Sequence, residues 1–349
     1  MKTSSLLLSS LTLALTGYGA TNPADTPATA TPAAAPADKK SDSTAPAAAL
    51  AKLVVLSVPN PRAVTVDRAG NLYVGDFSDA LVYRITPDGT VTTWGAAAPA
   101  APGKPASAAA FTTPSGLAVD ASGNIFVADV DGGAIHQISP AGAITTLANS
   151  DNPLIAGPIS VAVDGAGNVF VANNSNSTVA KIAHDGTVST FAGQPGKSGN
   201  ADGKGAAASF ASPRGISSDA DGNLIVADEA NSNIRKITPA GEVSTLAAGT
   251  TFGGPRDAAV DAAGNVYVAD TDNSIIRKIS PKGEVTTLAG QMGQSGAADG
   301  KGAAASFSGP RSIAVDPAGN VYVADSDNGR IRRITPAGEV TTVVGPAGN

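Results

Sequence analysis

The sequence predicts an all-β domain: six four-stranded antiparallel units closed into a ring, a six-bladed β-propeller, behind a disordered N-terminal segment. Three observations predict it. First, one sentence recurs six times, a small apolar run, Asp-x-x-Gly-Asn, then a second apolar run; its Asn falls at Asn71, Asn124, Asn168, Asn223, Asn265 and Asn320. The spacings of 53, 44, 55, 42 and 55 residues are those of stacked or radial repeats. Second, each period holds four apolar runs separated by turn residues. Third, the run after each Gly-Asn, such as Val266-Tyr267-Val268-Ala269, is continuous rather than alternating. A strand reads that way when both its faces are buried, as radial stacking of blades requires.

In chain order, Lys2 precedes the apolar stretch Leu6 to Leu15 and the small residues Gly17, Gly19 and Ala20. This reads as an export signal over residues 1–20, too short for a membrane-spanning helix. Leu15-Thr16-Gly17 resembles the start of a bacterial lipoprotein signal, but Tyr18 stands where the acylated cysteine would be. Residues 21–49 are mostly Ala, Pro, Thr, Ser and Asp, with little to bury, and read as a disordered linker. The ring is expected over residues 50–349. Leu53 to Val58 is an extra strand whose place before Pro61 matches the fourth strand of a preceding blade; it is expected to pair with the last blade near Glu339 to Val344 and latch the ring.

The repeat from Pro255 shows the reasoning. Asp257 to Val260 is a short first strand. Asp261 to Asn265 is a turn, with Asp to accept from backbone N–H groups and Gly264 to supply a positive φ. Val266 to Ala269, Ile275 to Ile279 and Glu284 to Leu288 follow as strands, joined by polar turns. Units begin at Pro61, Pro114, Pro158, Pro213, Pro255 and Pro310, and six of them close a ring with few exposed edges.

Composition bounds the function. A formal charge of -6 gives no global field for nucleic acid or an anionic membrane. There is no cysteine, hence no disulfide and no thiol chemistry. The two histidines, His136 and His184, are expected away from the channel, leaving little for a His-based metal or acid–base site.

The strings Gly-Leu-Ala-Val-Asp (116–120), Gly-Asn-Val-Tyr-Val-Ala-Asp (264–270), Asn-Ile-Arg-Lys-Ile (233–237) and Val-Thr-Thr-Leu-Ala-Gly (285–290) resemble NHL repeats. The resemblance covers about residues 50 to 349. It implies the propeller fold and leaves function open, since similar propellers include protein-binding and RNA-binding domains, extracellular sensors and a few lyases.

Strand order divides the turns between two faces. One carries the six Asp-x-x-Gly-Asn turns, which serve the repeat. The other carries three long connections, 95–113, 192–212 and 289–309, after the first, third and fifth blades. Long loops on a rigid scaffold are where binding residues concentrate. The second and third of these nearly match, and Lys204 and Lys301 are their polar tips; Phe111, Phe210 and Phe307 read as plugs between blades. Arg62, Arg214, Arg256 and Arg311 each follow an opening proline. Asp76, Asp129, Asp228, Asp270 and Asp325 end second strands, with Asn173 in the third blade. The two sets read either as a charged ring receiving a polar ligand or as ties between blades. Tyr73, Phe126, Phe170, Tyr267 and Tyr322 share one strand position and are expected in the core; Phe77 and Phe252 are loop aromatics outside that pattern.

The expectation is a binding scaffold rather than an enzyme: exported to the periplasm or secreted, monomeric, without a cofactor, and presenting the loop-bearing face to a protein or cell-envelope polymer. Its candidate contacts are Lys204, Lys301, Arg214, Arg256, Arg311, Asp228, Asp270 and Asp325. The alternative is a lactonase or lyase using one divalent cation such as Ca or Mg. Gluconolactonase-like propellers hold such an ion with Glu, Asn and Asp. Here Glu229, the one glutamate outside the repeat pattern, would join Asp270 and Asn173.

Overall fold

The computed structural model describes residues 53–96 and 110–346. The expected export signal, the linker and most of the first long connection lie outside them.

Six four-stranded antiparallel blades follow one another, and their first strands begin at the six prolines read from the sequence: Pro61–Val66, Pro114–Val119, Pro158–Val163, Pro213–Ser218, Pro255–Val260 and Pro310–Val315. These strands contact one another in a closed circle and line an axial channel of about 170 Å³. Every residue of each second strand is buried, which is why those runs do not alternate. Among the described residues, no helix is long and apolar enough to cross a membrane.

Each Asp-x-x-Gly-Asn segment folds as one unit. Asp316 accepts from the backbone N of Ala318 and Asn320 through one oxygen and from Asn320 Nδ2 through the other, at 2.9, 2.8 and 2.8 Å. Gly319 takes φ 81°, a conformation that costs a side chain dearly. Four of these aspartates, Asp67, Asp120, Asp164 and Asp219, border a single depression at that end of the ring.

The core sits between blades. Three residues before each opening proline, one apolar side chain fills each junction: Val58, Phe111, Ile155, Phe210, Phe252 and Phe307, all at most 3% exposed. Each belongs to a cluster drawn from two neighbouring blades. The three plugs expected from the long connections are therefore half of a set of six. Phe252 is a member of it, not an outlier.

The extra strand is shorter than expected, Val54–Val55, and pairs in parallel with the last blade, Val54 opposite Val344 and Val55 opposite Gly345. It resembles no missing fourth strand, because the last blade supplies its own, Glu339–Gly345. It is a fifth strand laid on the outside. The second and third long connections each add a similar outer pair, Gly203–Lys204 on the fourth blade and Gly300–Lys301 on the sixth.

Candidate functional site

The residue after each opening proline sits at one end of the channel. Around the ring these are Arg62, Ser115, Ile159, Arg214, Arg256 and Arg311, and all six border one small cavity of about 50 Å³. The arginines come from the fourth, fifth, sixth and first blades, a continuous arc. Ser115 and Ile159 leave an uncharged gap at the second and third. Proline fixes φ where the strand enters the ring, so the next side chain is presented from a rigid position.

Each arginine is held differently. Arg214 donates from Nε to Glu229, and Arg256 Nε lies 3.5 Å from the other Glu229 oxygen. Arg311 Nη2 stands 3.5 Å from the exposed Asp327. Arg62 stacks over Phe77, its guanidinium carbon 3.7 Å from the ring centre, and forms no ion pair among the described residues. Burial pushes the Arg62 guanidinium down to about 10, and the charges of Arg311, Arg256 and Arg214 push the same way. Arg256 is lowered by burial and then by Arg311 and Arg214. For Arg62 and Arg256 these directions report burial first and the nearness of the other cations second.

Asp257 borders both this cavity and the channel beyond it. Its carboxylate accepts from Ser312 Oγ at 2.9 Å and the backbone N of Ile313 at 3.0 Å, across the junction with the sixth blade. Burial pushes its carboxyl up to about 7, against the pull of those donors. A β-carbon on residue 215 would lie 2.1 Å from Asp257 Oδ1, so Gly215 makes room for it. The equivalent residues elsewhere are Ala63, Gly116, Ser160, Gly215 and Ser312. Sequence reasoning missed this site residue, although comparing the six first strands position by position exposes the one charged member.

The predicted aspartates are not at the mouth surface. Asp228, Asp270 and Asp325 are fully buried and committed inside their blades. Asp228 accepts from Ala211 N at 2.7 Å, Asn231 Nδ2 at 2.8 Å and Arg235 Nη1 at 2.8 Å. Asp325 repeats the set with Ser308, Asn328 and Arg332. Asp270 uses Gly253, Asn273 and Arg277. Each thus clamps the incoming connection to the turn after the second strand. The arginines involved are third-strand residues, not those after proline. Those guanidiniums also lie 5.2–5.3 Å from the plugs Phe210, Phe252 and Phe307. In the third blade Asn173 replaces Asp and Ala180 replaces Arg, so charge and counter-charge are lost together.

Glu229, Asp270 and Asn173, the residues of the alternative cation site, are each engaged by partners of their own. Glu229 is held by two arginines, Asp270 by Arg277, and Asn173 by Leu154 O, Thr178 and Ala156 N. Among the described residues no three or more His, Cys, Asp or Glu side chains gather as metal ligands would.

Lys204 and Lys301 lie on the outer edges of the fourth and sixth blades, with the whole blade between them and the arginines. Their Nζ atoms stand 3.8 and 3.7 Å from Glu242 and Glu339. Beside them, Asp202 and Asp299 receive Nη2 of the buried Arg235 and Arg332 at 2.6 and 2.8 Å. The near-identity of the two loops thus serves to clasp the following blade.

The family model of the NHL repeat matches residues 210–237, 252–279 and 307–334, the last three blades. No curated protein matches the sequence significantly. Similar solved structures include virginiamycin B lyase from Staphylococcus aureus, at 16% identity and TM-score 0.57, over 82% of this chain and 86% of that one. A nidogen/laminin complex structure matches at 17% and 0.57, over 77% and 91%. A gluconolactonase from Xanthomonas campestris matches at 13% and 0.52, over 86% and 90%. At these identities the likeness extends to fold alone. The chain is accordingly a six-bladed β-propeller whose fourth, fifth and sixth blades match the NHL repeat.

Proposed function

We propose that the protein is a non-catalytic binding scaffold, exported to the periplasm or secreted, whose arginine-lined face receives a protein or cell-envelope polymer. The observation that carries this reading is the arc of Arg62, Arg214, Arg256 and Arg311 on one cavity, with Glu229 shared between Arg214 and Arg256 beside it. Buried charges that serve only to tie a fold are paired, as Arg235 and Arg332 are. The mouth arginines are under-paired, which suits a surface completed by an acidic partner. The nidogen/laminin structure shows that this architecture takes part in protein complexes elsewhere. On this reading residues 1–20 direct export, residues 21–49 are a linker, the ring works as a monomer, and no cofactor is needed.

The test combines Arg214→Gln, Arg256→Gln and Arg311→Gln with Glu229→Gln, so that no half-buried carboxylate is left alone. A partner retained from cell-envelope extract by the parent chain should be lost by this variant at an unchanged melting temperature. A collapse in melting would make the arginines structural ties. One divalent ion per purified chain would favour the lactonase or lyase reading instead.

A further inference from the structure

We propose that the arginine mouth is a binding site for a compact divalent oxyanion of the phosphate or sulfate class, free or carried as a monoester on a larger partner. This rests on the scaffold reading and names the chemical group that its face takes.

Donors are present and unused. Among the described residues, none of the four arginines donates a hydrogen bond from its Nη atoms, and the Nε of Arg62 and of Arg311 is buried without a hydrogen-bond partner. Arginine presents these donors in a rigid planar fork matched to oxyanions. Charge points the same way. Four cations border the cavity, with Arg214, Arg256 and Arg311 21–26% exposed; the carboxylates beside them are Glu229, 20% exposed and shared by Arg214 and Arg256, and Asp257 on the cavity wall. Asp131, Asp272 and Asp327 stand exposed at the rim, where solvent and salt screen them. Asp257 pairs with none of the four and already accepts from Ser312, Ile313 and Ala258.

Shape selects among anions. A cavity of about 50 Å³ accommodates a compact ion. Forks arriving from four blades approach from several directions. That spread suits the acceptors of a tetrahedral ion better than a flat carboxylate. The uncharged gap at Ser115 and Ile159 leaves one side open for an ester chain.

The experiment is calorimetric titration of the full chain, at low chloride, with inorganic phosphate, sulfate and glycerol 3-phosphate. Saturable one-to-one binding is expected, weakened at least about ten-fold in Arg62→Gln/Arg256→Gln with folding checked by circular dichroism. If that variant does not fold, Arg62→Lys/Arg256→Lys keeps the charge, loses the fork, and should still weaken binding. Equal affinity for phosphate and glycerol 3-phosphate assigns the site to the free ion. Tighter binding of the ester assigns it to a partner-borne group. No saturation by about 10 mM of any of the three, or undiminished binding in a folded variant, overturns the proposal. If anions fail to bind while the arginine-to-glutamine set still abolishes partner capture, the scaffold reading stands and this inference alone falls.

Discussion

Asp257 is the residue where chemistry departs furthest from the repeat. Its carboxyl is raised from the ordinary aspartate value to about 7 by burial. The folded state therefore holds a proton that the unfolded chain releases near pH 4. The contribution to stability is fullest below that point and declines as pH rises to about 7. Melting temperatures measured from pH 4 to 8 should fall across this window in the parent chain, and Asp257→Asn should flatten that part of the fall. A single sequence hides this residue because Pro-Arg-Asp looks like one more charged strand opening; only its five small counterparts show that its side chain enters the channel. The arginines after proline were legible because they repeat. The counter-charges of the second-strand aspartates were not, since Arg235, Arg277 and Arg332 sit in runs such as Asn-Ile-Arg-Lys-Ile that read as half-exposed strand. Burial of the middle arginine arises from the neighbouring loop and plug, which lie 25 or more residues away in the chain.

At the scale of the element, the junction plugs set how blades pack. Phe252 is 1% exposed between the fourth and fifth blades, with Arg277 beside its ring. Phe252→Ala should destabilise by about 3–5 kcal/mol in urea unfolding, as for other buried aromatics. A loss under about 1 kcal/mol would show that the junction closes without it. The strands themselves were legible to within a residue or two, because apolar runs and Gly-Asn turns are local signals. The plugs were legible only where phenylalanine recurs in matching loops. Val58 and Ile155 do the same work with a different side chain, and shape complementarity at a junction leaves no periodic mark.

For the whole molecule, the two ends of the ring are joined by Val54–Val55 against the last blade and by Leu56 N donating to Gly345 O at 3.0 Å, beside the packed junction around Val58. Leu56→Pro deletes that donor and should cost about 1–3 kcal/mol, with the loss read by chemical unfolding. An unchanged midpoint would mean that the junction around Val58 closes the ring unaided. That the segment pairs with the last blade was legible from its place ahead of Pro61. Its parallel, fifth-strand geometry was not, because only the completed sixth blade shows that the fourth place is already filled. The same pairing sets an order in time. Val54 meets Val344, 290 residues further along, so the first piece of the ring to be synthesised waits for the last. Until then the opening blade lacks a neighbour and its flank is open to other chains. Long-range closure of this kind slows folding and lengthens exposure to aggregation. Refolding yield should therefore be governed by how quickly the two ends of the ring find each other, more than by how stable any one blade is.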